Sequence, residues 1–124
     1  MGQKVNPNGF RIGVIKDWSS TWYADKKTFS KYILEDKKIR QYINKNYNQC
    51  GISKVEIART ENRLTVNVYA SRPGMLIGVK GAEIEVIKKA LAKLSDSKNI
   101  TLNIKEVKRP DVDATLVAQS IASQ

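Results

Sequence analysis

A chain of 124 residues with 41% apolar content can build one core, which argues against general disorder. Its 22 Lys and Arg against 12 Asp and Glu give a net charge of +10, and a pI near 9.8 favours an anionic partner. Histidine is absent and Cys50 is the one cysteine, so Ser-His and Cys-His catalysis, a Cys-rich zinc site and an internal disulfide are all excluded.

No run approaches the roughly 20 apolar residues that span a bilayer. Lys4, Arg11 and Lys16 interrupt any apolar signal core, and Asn6 stands where a myristoylation motif needs Ser or Thr. These features predict a cytoplasmic chain that uses no metal, cofactor or membrane.

Residues 1–24 lack a clear period and carry Gly2, Pro7, Gly9 and Gly13, followed by Trp18, Trp22 and Tyr23. A basic, irregular extension punctuated by aromatics suits docking onto folded RNA. The competing reading of the tryptophans, equally weighted, is that they cover one edge of the core. From Asp25 to about Tyr47 the pattern is helical. Phe29, Ile33, Ile39, Ile43 and Tyr47 form the apolar stripe, with Lys27, Lys31, Lys37, Lys38 and Lys45 on the solvated side. Glu35-Asp36 interrupts the stripe and predicts a kink or two shorter helices. Gly51 suits a C-terminal cap, and Cys50 is expected to pack as a small apolar residue at a strand entry.

Two alternating segments follow, Ile52 to Arg59 and Arg63 to Ala70, joined through Thr60-Glu61-Asn62 as a hairpin. Val55, Ile57, Leu64, Val66 and Val68 share its apolar face. Arg72-Pro73-Gly74 ends the second strand, and Met75 to Ile77 reads as one helical turn. A helix from Glu83 to Leu94 has Ile84, Ile87, Leu91 and Leu94 on one stripe. After a loop from Ser95 to Asn99, Ile100, Leu102 and Ile104 alternate as a third strand. Lys108-Arg109-Pro110 closes the domain, and Asp111 is the expected N-cap of a last helix containing Val112, Leu116, Val117 and Ile121. Three strands with one polar face need helices on the other, which makes an α+β two-layer domain over residues 25–110. Residues 1–24 extend it on one side and 111–124 on the other.

The chemistry centres on Gly78-Val79-Lys80-Gly81. Two glycines three apart let the backbone turn tightly and approach a phosphate closely. Ile77 is expected to anchor the loop in the core, Lys80 offers a cation, and the following helix aims its positive dipole end at the loop. Charge and position add Lys4, Arg11, Lys16, Arg72, Lys88 and Lys108 as candidate phosphate contacts; for each, a solvated surface charge is an equally weighted reading. A phosphate-processing enzyme fits poorly. Lys80-Gly81-Ala82 lacks the Lys-Ser/Thr pair of a P-loop, and Glu83 and Glu85 diverge by about 200° on a helix.

This order, with Ile77-Gly78-Val79-Lys80-Gly81 between the two later helices, resembles a KH domain of the prokaryotic, type II arrangement. The opening Met1-Gly2-Gln3-Lys4-Val5-Asn6-Pro7, the cluster Trp18-Ser19-Ser20-Thr21-Trp22, Arg72-Pro73-Gly74, Lys108-Arg109-Pro110 and Asp113-Ala114 are similar to bacterial small-subunit ribosomal protein three. The resemblance implies a structural component of the small-subunit head, bound to ribosomal RNA near the messenger entry channel. Neighbouring head proteins, and messenger RNA itself, are the further partners it implies. By the same resemblance Gly78, Val79, Lys80 and Gly81 form the backbone-gripping loop, with Ile77 and Ile84 flanking the groove and the second strand forming its other wall. Family members continue well beyond this length, so residues 111–124 are expected to lead into a further domain. A free-standing KH regulator of transcripts is the alternative within binding modules, against which the extension from Met1 to Trp22 argues. A protein–protein scaffold whose charge only aids solubility is the other.

Overall fold

The computed structural model describes residues 2–60, 63–95 and 99–124, and at Lys80 the backbone alone. Glu61 and Asn62 of the hairpin turn, and residues 96–98 of the loop before the last strand, lie outside the described residues.

The extension is more ordered than its composition implies. Pro7–Arg11 forms a short helix, α1, because Asn6 Oδ1 accepts from the Asn8 and Gly9 amides at 2.9 and 3.2 Å and Pro7 presets the first turn. None of its residues is buried. Further on, Ser20–Thr21 forms a two-residue strand, β1, parallel to Ile52–Arg59, β2, with Ser20 opposite Ile57. The Ile57 amide donates to the Ser19 carbonyl at 2.9 Å. The sheet therefore has four strands rather than the expected three. Two residues are too few to show an alternating pattern, so this edge left no periodic signal.

Lys26–Asn46 is a single 21-residue helix, α2, so Glu35-Asp36 does not divide it into two shorter ones. Both acids are buried on its inner face with Ile39 and Ile43. Arg59 explains this: its Nη1 lies 3.0 Å from Glu35 Oε2 and its Nη2 2.6 Å from Asp36 Oδ1. The expected stripe is only half correct. Ile39 and Ile43 are buried and Tyr47 packs beside them, but Phe29 and Ile33 are exposed because the polar pair takes their place against the sheet.

After a 3-10 turn over Asn48–Cys50, capped by Gly51, β2 pairs antiparallel with Arg63–Ala70, β3, setting Val55 against Val68 and Ile57 against Val66. Asn99–Glu106, β4, runs parallel to β3 with Leu102 opposite Val66. A parallel neighbour requires a crossover. It consists of Pro73–Ile77, α3, a glycine loop, and Ala82–Leu94, α4. Ile39, Ile43, Leu76, Ile87 and Leu91 meet Val55, Ile57, Leu64, Val66, Val68 and Leu102 in one core. Each such buried aliphatic side chain contributes about 1.5–3 kcal/mol of transfer free energy.

The last helix, α5, is Ala114–Ser123. Its N-cap is Asp113 rather than Asp111: the Asp113 carboxylate accepts from the Thr115 and Leu116 amides at 3.0 and 3.3 Å. Pro110 starts a separate 3-10 turn over Pro110–Val112, which takes Asp111 and Val112 out of the helix. Asp113 also accepts from the Ser53 hydroxyl, tying α5 to β2.

Candidate nucleic-acid interface

The crossover between β3 and β4 builds the loop. Pro73 starts α3, and the helix ends when Gly78, whose amide donates to the Gly74 carbonyl at 3.0 Å, takes φ +69° and ψ −168°. That region of backbone space is essentially restricted to glycine. A Cβ added at Gly78 would also lie 2.7 Å from Glu83 Cγ. Val79–Gly81 forms a 3-10 turn, and Gly81, at φ +75° and ψ 17°, is the N-cap of α4. A Cβ at Gly81 would meet nothing within 4 Å, so the left-handed conformation alone calls for glycine there.

Gly81 brings no side chain to α4's first-turn amides. The Ala82 amide already donates to the Val79 carbonyl across the 3-10 turn; donors the turn does not take up are left to a side chain, water or ligand, and the helix dipole makes an anion the favoured ligand. Glu83, in that first turn, has its Oε2 accepting from the Tyr47 hydroxyl at 3.4 Å. Burial, with Tyr42 and Glu83 adding to it, pushes the Tyr47 phenol up to about 12. Burial likewise pushes the Cys50 thiol up; the Arg72 guanidinium opposes this and Glu83 adds to it.

The core anchor is Leu76, 1% exposed, and not Ile77, which is 38% exposed. Pro73 at the helix start sets a register in which Leu76 meets the sheet and Ile77 borders the loop. Val79 is 81% exposed at the tip, and Ile84 is half-buried against the core. The surface on offer is therefore an apolar rim, a turn of backbone and an uncapped helix start.

The basic candidates divide into groups. Arg72 is exposed at the foot of α3, its amide donating to the Cys50 carbonyl at 3.1 Å and its Nη1 to the Gln49 carbonyl at 3.5 Å. Lys88 is half-buried on α4, about 10 Å along the axis from Gly81. The Lys80 side chain lies outside what the structure describes. Lys4, Arg11 and Lys16 are exposed in the extension, where Arg11 donates to the Pro7 carbonyl and Lys16 to Asn8 Oδ1, at 3.0 and 2.9 Å. That extension joins the sheet at its β1 edge, whereas α3 packs against β4 at the other. Lys108 is exposed just after β4.

The pattern of the KH domain family matches residues 38–112, more than half of the chain, and takes in the whole crossover. The chain belongs to the KH domain family. Its α+β type II architecture follows the sequence expectation apart from the added edge strand. The full 124 residues are also 51% identical to the small ribosomal subunit protein uS3 of Clostridium botulinum, covering 56% of that protein. Identity is 56% to uS3 of Pelagibacter ubique and 52% to uS3 of Acetivibrio thermocellus, with 54% of each covered. The chain thus spans about half the length of the relatives it matches. These matches agree with the sequence resemblance to ribosomal protein three.

For the tryptophans the sequence left both readings open. The tryptophans separate: Trp18 is exposed, while Trp22 Nε1 donates to Asp36 Oδ2 at 2.7 Å and its ring lies 5.4 and 5.5 Å from those of Phe29 and Tyr32. Trp22 thus clasps the extension to the domain, and Arg40 strengthens the clasp by donating to the Ser19 carbonyl and Ser20 Oγ at 3.0 and 2.7 Å. No helix among the described residues is long and apolar enough to cross a membrane.

Proposed function

We propose that this chain is a non-catalytic constituent of the small ribosomal subunit in the cytoplasm, held on ribosomal RNA by its KH domain and its basic extension. The observation that carries this reading is the identity of 51–56% across all 124 residues to proteins named small ribosomal subunit protein uS3. The uncapped start of α4 behind a glycine turn supports it, because backbone amides there suit a phosphate. KH modules hold about four nucleotides through such a loop. Gly78 to Gly81 with Ile77 form the grip, Arg72 and Lys88 flank it, and Lys4, Arg11, Lys16 and Lys108 meet phosphates elsewhere on the RNA. The family resemblance extends the proposal to a place in the head near the messenger entry channel, beside other head proteins, where messenger RNA is a second strand for the loop.

The test is RNA binding against salt for the wild type and for Val79→Asp/Lys80→Asp, after melting curves confirm that both fold alike. Five phosphate contacts give a log–log slope of about −3.5 on a single-stranded oligonucleotide and about −4.5 on a duplex-rich head-domain ribosomal RNA fragment. Loss of both probes in the variant makes the loop the principal grip. Loss of the oligonucleotide alone assigns ribosomal RNA docking to the extension and outer faces. A flat salt dependence in the wild type contradicts the proposal, and cross-links spread over many transcripts in cells favour the free-standing regulator instead.

A further inference from the structure

Helix α2 segregates its charges. Its two acids, Glu35 and Asp36, are turned inward and held by Arg59. Its six lysines, Lys26, Lys27, Lys31, Lys37, Lys38 and Lys45, are all exposed. At about 100° per residue, Lys27, Lys38 and Lys45 fall within about 20° of one line and span about 27 Å of the axis. Lys31 lies beside the same line. Among the described residues no ion pair engages Lys27, Lys38 or Lys45, and the one exposed acid flanking the helix is Asp25 at its N-cap. A helix that is charged only for solubility gains from alternating Glu and Lys at i and i+4. Here the acids are withdrawn and the outer face is left with one sign.

We infer that the outer face of α2 is a second RNA-binding surface, separate from the glycine loop, that takes the phosphates of a double-helical RNA segment. The inference rests on the RNA-binding reading above. Double-helical RNA is favoured over a single strand because single-strand sites pair cations with aromatic stacking platforms. This face has none: Phe29 and Tyr32 turn toward Trp22, Tyr42 pairs with Tyr47, and Leu34 is the large apolar residue between the lysines. The spacing also fits a stiff partner. Lys27 and Lys38 stand about 16 Å apart along the axis, and Lys38 and Lys45 about 10 Å. The other face of α2 packs on β2 and α4, which holds that spacing fixed.

The experiment compares the full 124-residue chain with Lys27→Gln/Lys38→Gln/Lys45→Gln and with a control, Lys89→Gln/Lys93→Gln/Lys105→Gln, that removes the same three charges elsewhere. Glutamine has nearly the helix propensity of lysine, so folding is retained and is checked by thermal melting. The probes are a blunt RNA duplex of about 16 base pairs, the length a double-strand-binding domain spans, and a short single-stranded oligonucleotide. The expected result is a duplex salt slope shallower by about 2.7 in the α2 variant, with single-strand binding kept and the control near wild type on both. A wild-type duplex slope in the α2 variant, or an equal loss in the control, overturns the inference. Salt-dependent single-strand binding by a wild type that ignores the duplex overturns it too, while leaving the loop reading intact. No salt-dependent binding to either probe sinks both readings.

Discussion

The glycine loop and the clasp around Arg59 lie in different parts of the domain and are specified in opposite ways. At the loop, backbone conformation is the information: Gly78 and Gly81 hold positive φ, and Val79 at the tip is exposed. At the clasp, side chains are the information. Arg59 binds Glu35 and Asp36, stacks its guanidinium 4.6 Å from the Tyr32 ring, and shares Asp36 with Trp22 and Ser20. A surface that receives a ligand needs unused donors, whereas a knot that fastens an extension needs every buried charge matched. Removing one partner should therefore harm the clasp far more than the loop.

Arg59→Ala should have the largest effect. It leaves two buried carboxylates unpaired, and loss of one partner of such a group costs about 3–5 kcal/mol, read from urea denaturation. Trp22→Phe removes the bond to Asp36 and trims the ring that packs on Phe29 and Tyr32, and should cost about 1.5–3 kcal/mol, with faster proteolysis of the extension as a second readout. Gly78→Ala sharpens the loop side. Strain and the contact with Glu83 predict a loss of about 1–3 kcal/mol, together with weaker single-strand binding from a displaced turn.

The smallest effect is that of Tyr47→Phe at high pH. The Tyr47 phenol sits at about 12 in the folded chain against an ordinary 10.0. The folded state then binds more protons than the unfolded one between those values, so stability falls as pH rises through that window. Below it, the contribution is fully present. Wild type should lose stability between pH 10 and 12 faster than Tyr47→Phe, measured as a difference in melting temperature so that lysine titration cancels.

What the sequence made legible follows the same division. Positive-φ glycines, strand alternation and the stripe of α4 are local signals, and the loop, β2, β3, β4 and α4 are read directly from them. The clasp is not local: it joins positions 22, 36 and 59, and nothing near Glu35-Asp36 marks those acids as core residues. For the same reason Phe29 and Ile33 read as buried when Arg59 and its partners had taken their place. Strand β1 was hidden by its length. Asp113 was passed over for Asp111 because Pro110 adds a turn before the helix begins. The choice of Ile77 over Leu76 was an error of one residue, which on a single helical turn rotates the anchor by about 100°.

On the proposed reading, loop backbone rather than a base-reading side chain grips RNA. Amide hydrogen exchange with and without a short single-stranded RNA tests it most directly. Exchange is expected to slow at the amides of residues 79–84 on binding, independent of the base composition of the oligonucleotide. Tight binding that leaves those amides unchanged would contradict it.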